Sequence, residues 1–431
     1  MNKYIHSLRA EIEVWVREGI ITPAQADVIR SRYPVLDRGV SWGKIIFSVI
    51  GAVLLGLGVI LLFAYNWEKM PRAAKLSVVF VSLVTAHGLG LWFRRDESNH
   101  KALGEGLNIL GTMLFGAGIW LVAQIYHIDE HFPNAFLAWG MGALGLAWAF
   151  PSIAHGIMAA VILVFWNGCE VSAFHHPNHL GPPLILAGII PLAVLNRSRV
   201  LMGIGLCAVV TALCFTTSVI ENDLLFSVLF FSSCTLLGLG AADAGKRISA
   251  SSLFSFLGSV PYMLILFILS FKGAGRSFLH LKLDTQSGLY FFILFFMAVT
   301  PWVMASRVFS ESPEKISSIH RMNYLGVLAA LIFFTFQTLF NMNLRGWAGA
   351  GFYNLIFLFH CILMILHGCR TANTRWAVTG CLLLSAIAIA RYADLFNSLL
   401  MRSLVFFIIG GGIFAAGNFY SRAKKRIQGE E

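Results

Sequence analysis

The sequence predicts an all-α, polytopic integral membrane helix bundle, and two observations carry that prediction. Apolar runs long enough, or nearly so, to cross a hydrocarbon core that needs about 20 helical residues recur from Trp42 to Tyr420. The composition agrees, with 57% hydrophobic residues, 12% charged residues and a mean hydropathy of +0.74, far from the usual mix of a soluble domain.

Before the apolar runs, residues 1–41 read as a short helical hairpin on the cytoplasmic side. Ile5, Leu8, Ile12 and Trp15 recur at spacings of three and four, which makes one apolar stripe, and Gly19 suits the helix end. Thr22, Pro23 and Gln25 then form a T-x-x-Q capping box with proline at the first helical position, followed by Ala26, Ile29 and Tyr33 on one face.

The bundle occupies 42–420, with expected spans at 43–66, 73–93, 102–126, 133–150, 152–172, 181–195, 200–220, 222–242, 252–271, 286–306, 322–341, 348–367, 375–391 and 400–420, about 14 in all. The sixth is short and carries Pro191, and the break between the fourth and fifth rests on Pro151. A basic tail, 421–431, follows the last span. The net charge of +11 collects in short clusters between alternate runs, such as Arg94, Arg95 and Lys101, while 127–131, 170–179 and 221–223 hold no Lys or Arg. Because cytoplasmic loops retain Lys and Arg, both termini are expected in the cytoplasm and those three loops outside. Dispersed in this way, the basic residues argue for topology and against a nucleic-acid partner. The seven cysteines show no C-x-x-C spacing, and no disulfide is expected.

An internal echo aligns 50–67 with 110–127, matching Gly51 to Gly111, Gly56 to Gly116 and Gly58 to Gly118. Glycine ridges allow close helix approach in a membrane, so these six residues are expected to mark helix packing. Among polar residues, Glu105 is the intramembrane candidate, four residues past Lys101 and able to pair with it at the interface. His87 and His360 read as neutral packing histidines, and Arg391 with Asp394 as a salt bridge at a turn. A candidate outer-face polar cluster comprises Gln124, Tyr126, His127, Asp129, Glu130 and His131 with His175, His176 and His179. His127 and His131, like His175 and His179, are four apart and would share a face if their helices continued. Proline at 133, 177, 182 and 183 works against that continuity, so no metal and no cofactor is assigned.

The "FAYNW" closing the first span, "AQIYHI" at the end of the third, the hairpin "GIITPAQADVI" and the closing "RYADLFNSLLMRSLVFFIIGGGIF" resemble the predicted prokaryotic membrane proteins grouped as domain of unknown function 2157. The resemblance implies a bacterial inner-membrane protein of unassigned activity, often accompanied by a second multispan protein and a small single-span one. It supplies no catalytic residues.

Hydrolase, zinc-protease and phosphate-loop signatures are absent from the sequence, and the expectation is a protein that is not an enzyme. The leading functional reading is transport or sensing of a small solute or lipid within the lipid bilayer. An accessory subunit that binds other membrane subunits is the alternative, and a metal-dependent enzyme at the outer face is the third.

Overall fold

The computed structural model describes residues 11–32, 70–95, 101–128, 131–221, 224–242, 251–271, 284–311, 318–340, 347–394 and 399–428. The expected first span at 43–66, with Gly51, Gly56 and Gly58, lies outside the described residues, as do Asp129 and Glu130. The chain divides into two compact units, Met1–Val78 and Val79–Glu431.

In the first unit, residues 11–17 are helical and Gly19 takes a positive φ of 72°, a conformation glycine adopts without strain. Helix α1 (Pro23–Arg32) follows. The expected capping box is present, with Thr22 N–H donating to Gln25 Oε1 at 2.9 Å and Gln25 N–H donating to Thr22 Oγ1 at 3.3 Å. Ile12 and Ala26, one from each expected apolar stripe, are fully buried.

The second unit is all helical among the described residues. Its helices are α2 (Arg72–Arg95, which starts in the first unit), α3 (Lys101–Tyr126), α4 (Pro133–Ala149), α5 (Ile153–Phe174), α6 (Gly181–Leu195) and α7 (Arg199–Ile220). They continue with α8 (Leu224–Ala242), α9 (Ser251–Leu269), α10 (Thr285–Glu311), α11 (Ser318–Leu339), α12 (Trp347–Arg370), α13 (Thr374–Asp394) and α14 (Leu399–Gln428). Among the described residues, 10 helices are long and apolar enough to cross a membrane: α2, α3, α5 and α7 through α13. Helices α4 and α6 have 17 and 15 residues, shorter than a standard crossing. Helix α14 runs on to Gln428, so the basic tail is helical over most of its length.

Two apolar cores hold the unit together. One gathers α4 to α7 around Ala143, Ala159, Leu163, Ile185 and Leu201. The other gathers α8 to α13 around Phe230, Phe231, Tyr262, Phe291 and Phe334, and Leu213 on α7 packs against both. Helix α8 is buried on every side, which its near-continuous apolar sequence permits, and α9 and α10 flank it. Two of its hydroxyls return to its own backbone, Ser233 to Leu229 O at 2.6 Å and Thr235 to Phe231 O at 2.7 Å, whereas Ser232 Oγ is buried without a partner.

Side-chain bonds also fix which helix ends lie together. At one end His131 meets Glu170, Thr216 meets the Asn178 carbonyl and His179 meets Tyr290. At the other, Arg94 meets the Phe150 carbonyl and Glu105 meets Ser152. Helices α3, α4 and α5 therefore run alternately between two ends.

Candidate functional site

Helices α2 and α3 approach along a glycine stripe. Gly104, Gly111 and Gly118 recur every seven residues, and a methyl group on them would lie 2.8 Å from Gly90 O, the His87 ring and Val79 Cγ1 respectively. At Gly104 the neighbour is backbone, so a side chain there would push the helices apart, whereas at Gly111 and Gly118 the His87 and Val79 side chains would have to move. Gly116 instead admits the Trp139 ring of α4, so the glycines of the third span serve two neighbours rather than one ridge.

This close approach gathers the polar residues of α2 and α3. His87 Nδ1 lies 3.3 Å from Asn108 Oδ1. Arg94 Nη2 donates to the Phe150 carbonyl at 3.1 Å, and the guanidinium lies 5.1 Å from the centre of the Phe150 ring. Phe150 caps the C-terminus of α4, and Ser152 two residues later is the N-cap of α5, receiving His155 N–H. The turn forced by Pro151 is thus clamped by a cation from α2 and a carboxylate from α3.

Ser152 Oγ lies 2.8 Å from Glu105 Oε1 and 2.9 Å from His155 Nδ1. A hydroxyl has one hydrogen. With Glu105 ionised, that hydrogen goes to the carboxylate, which only accepts, so Nδ1 of His155 must carry the proton and donate to Oγ. The neutral ring then presents a bare Nε2. That atom is buried and makes no well-formed hydrogen bond, although the Asn108 backbone lies beside the ring; Asn108 Nδ2 and Arg94 Nη1 are also buried and unpartnered. His155 and Asn108 are only 1% and 2% exposed. Leaving each such group unsatisfied costs about 1–3 kcal/mol, which a polar ligand or water at the site would recover.

His360 supplies the contrast. Its Nδ1 meets Asn323 Oδ1 at 2.6 Å and its Nε2 meets Tyr262 Oη at 3.0 Å. Both ring nitrogens are satisfied, so His360 is a neutral packing histidine as expected. His87, by contrast, belongs to the polar cluster. Glu105 bonds Ser152, and the Lys101 side chain, its expected partner, lies outside the described residues.

Among the described residues, the outer-face candidates do not come together. Helix α3 ends at Tyr126 and His127 takes a left-handed φ of 53°, so His127 and His131 share no helical face. His175 has the same φ and caps α5, which likewise separates it from His179. His131 bonds Glu170 at 2.7 Å and lies against Phe174, with ring centroids 4.1 Å apart. His179 Nδ1 bonds Tyr290 Oη at 2.6 Å, while Gln124, Tyr126, His127, His175 and His176 are exposed. Among the described residues no three His, Cys, Asp or Glu stand where they would hold a metal ion.

Arg391, expected to pair with Asp394 at a turn, reaches into the bundle. It is buried, donating to Asn354 Oδ1 at 3.1 Å and Ser270 Oγ at 2.6 Å, with its guanidinium 4.4 Å from the Phe271 ring centre. It therefore ties α9, α12 and α13. The Asp394 side chain lies outside the described residues.

Sequence reasoning singled out Glu105 and missed Arg94, Asn108, Ser152 and His155. The available signal was Asn108 and His155 as polar residues within otherwise apolar spans. The family described as "Predicted membrane protein (DUF2157)" matches residues 13–156, a stretch that contains every member of this cluster. The match does not reach the C-terminal segment that also carried the resemblance. No curated protein and no solved structure matches the chain.

Proposed function

We propose, for a chain whose residues 13–156 match a predicted membrane protein family, that the protein carries or senses a small polar solute or a lipid and is not an enzyme. The carrying observation is the cluster of His87, Arg94, Glu105, Asn108, Ser152 and His155, in which three helices present buried polar atoms without protein partners. Ionisable groups in membrane helices are costly and are usually kept for a pathway or a ligand. A lipid is favoured as an alternative ligand class by an apolar groove of about 450 Å³ between α5, α7 and α9, lined by Val161, Phe165, Ile204 and Leu257 with Arg199 among its walls.

In this reading the protein resides in the bacterial inner membrane with fourteen crossings and both termini cytoplasmic. The charge alternation supports it, and so do the contacts of α4 and α6, which despite their length link one end of the bundle to the other. The cluster then lies near the cytoplasmic surface. The test is uptake by proteoliposomes of a panel of labelled amino acids, sugars, nucleosides and inorganic phosphate, with fluorescent phospholipid translocation measured alongside. Movement of one class above empty liposomes, lost in Arg94→Ala, supports the proposal; a panel in which nothing moves or binds sinks it.

The accessory reading is favoured by one separate feature. Among the described residues, a methyl group at Gly410 or Gly417, seven apart on one face of α14, would meet nothing within 4 Å, which leaves room for another membrane helix. Crosslinking from α14 in native membranes tests it, and crosslinks confined to lipid would count against it.

A further inference from the structure

We propose that Glu105, Ser152 and His155 form a proton relay that links the buried Nε2 of His155 to the half-buried carboxylate at the end of α3. The proposal deepens the carrier reading and rests on the same site. Its test needs no transported solute, so its failure is distinguishable from failure to find one.

The geometry permits two complete hydrogen-bond arrangements over the same three side chains. In the first, the ionised Glu105 accepts from Ser152 Oγ–H, Oγ accepts from His155 Nδ1–H, and Nε2 is bare. In the second, Glu105 is protonated and donates to Oγ, the hydroxyl donates to Nδ1, and Nε2 carries the hydrogen. A proton taken up at Nε2 converts one into the other: the Nδ1 hydrogen moves to Oγ as the Oγ hydrogen moves to Glu105 Oε1. One proton enters at Nε2, one is held at Glu105, and the imidazole ends neutral in the opposite tautomer. Return along the same path, from Glu105 to Oγ and from Oγ to Nδ1 with loss of the Nε2 proton to the site, restores the start. Nothing is oxidised or reduced.

Both distances, 2.8 and 2.9 Å, suit transfer along existing hydrogen bonds. The open end is what separates this chain from the Asn323–His360–Tyr262 chain, where a neutral amide terminates the path and both ring nitrogens are occupied. Around His155 the charged and titratable groups are Glu105 on α3 with His87 and Arg94 on α2. Helices α4 and α6 carry no titratable residue, and α7 carries Arg199, Cys207 and Cys214.

The experiment is ¹⁵N NMR of imidazole-labelled full-length protein in nanodiscs from about pH 4 to 9, the range that brackets histidine and carboxylate titration. The His155 signals are those missing from His155→Asn. We expect the wild-type ring to pass from the Nδ1–H to the Nε2–H tautomer as pH falls. That switch is lost in Glu105→Gln and Ser152→Ala and kept in Ser152→Thr, which restores the hydroxyl. A ring that holds one tautomer throughout, becomes an imidazolium, or switches equally well in Glu105→Gln would overturn the relay. Should the variants not fold, the wild-type tautomer series alone decides.

Discussion

Ser152 and Glu105 lie 47 residues apart in sequence and 2.8 Å apart in space, the hydroxyl of a helix N-cap bonded to a carboxylate of another helix. One side chain thus starts α5 and ties it to α3. Ser152→Ala removes the cap and leaves Glu105 without this donor, so it should destabilise the protein by about 1–3 kcal/mol. Ser152→Thr should lose much less. Unfolding in mixed detergent micelles measures both, and equal losses would show that the hydroxyl is unimportant.

The glycine stripe gives a paired comparison on one helix. Gly104→Ala drives a methyl to 2.8 Å from the Gly90 carbonyl, whereas Gly106→Ala meets nothing within 4 Å. The first should destabilise by about 1–3 kcal/mol, and the second should be neutral or slightly stabilising, since alanine is the better helix former. Thermal unfolding in detergent that ranked the two alike would mean that α2 and α3 are not in the described contact.

Much of this was legible in the sequence, and the losses have physical causes. Helices coincide with the expected spans from the second onward because an apolar run of that length must satisfy its own backbone in lipid. The capping box at Thr22 was readable because it is local. The polar cluster was not, because Arg94, Asn108 and His155 are brought together by packing between helices, which single-helix spacing does not encode. Glu105 stood out only as a charge in an apolar setting. The outer histidines could share a face only if their helices continued, and the left-handed turns at His127 and His175 end that continuity.

The His131 and Glu170 pair is 36% and 22% exposed, so solvent screens it. A double-mutant cycle with alanine at both positions should give a coupling below about 1 kcal/mol. Chelator treatment should leave thermal stability unchanged in wild type and variants alike. A chelator-dependent drop in melting temperature in wild type that vanishes in His131→Ala would reveal a metal that this geometry does not provide for.

Asp284 introduces a pH dependence with a definite sign. Its Oδ1 accepts from Ser287 N–H at 2.7 Å and Ser287 Oγ–H at 2.6 Å at the start of α10, and these bonds hold its carboxyl below the usual carboxylate range. A group whose folded value is depressed contributes stability above its unfolded value and loses it as pH falls through the folded value. Wild type should therefore exceed Asp284→Ala in stability at neutral pH, with the difference shrinking only in acid below the normal aspartate range. Asp284→Asn keeps a capping acceptor and should lose the pH dependence. A gap between wild type and Asp284→Ala that persisted unchanged in acid would refute the assignment.

Arg94, Asn108 and His155 are proposed to hold a polar ligand or water inside the bundle. Cryo-electron microscopy of the full-length protein in nanodiscs of native lipid tests this most directly. Density for a polar group or ordered water is expected within hydrogen-bond distance of Arg94 Nη1, Asn108 Nδ2 or His155 Nε2. A map in which those three atoms pair with one another, or are packed only by acyl chains, would contradict it.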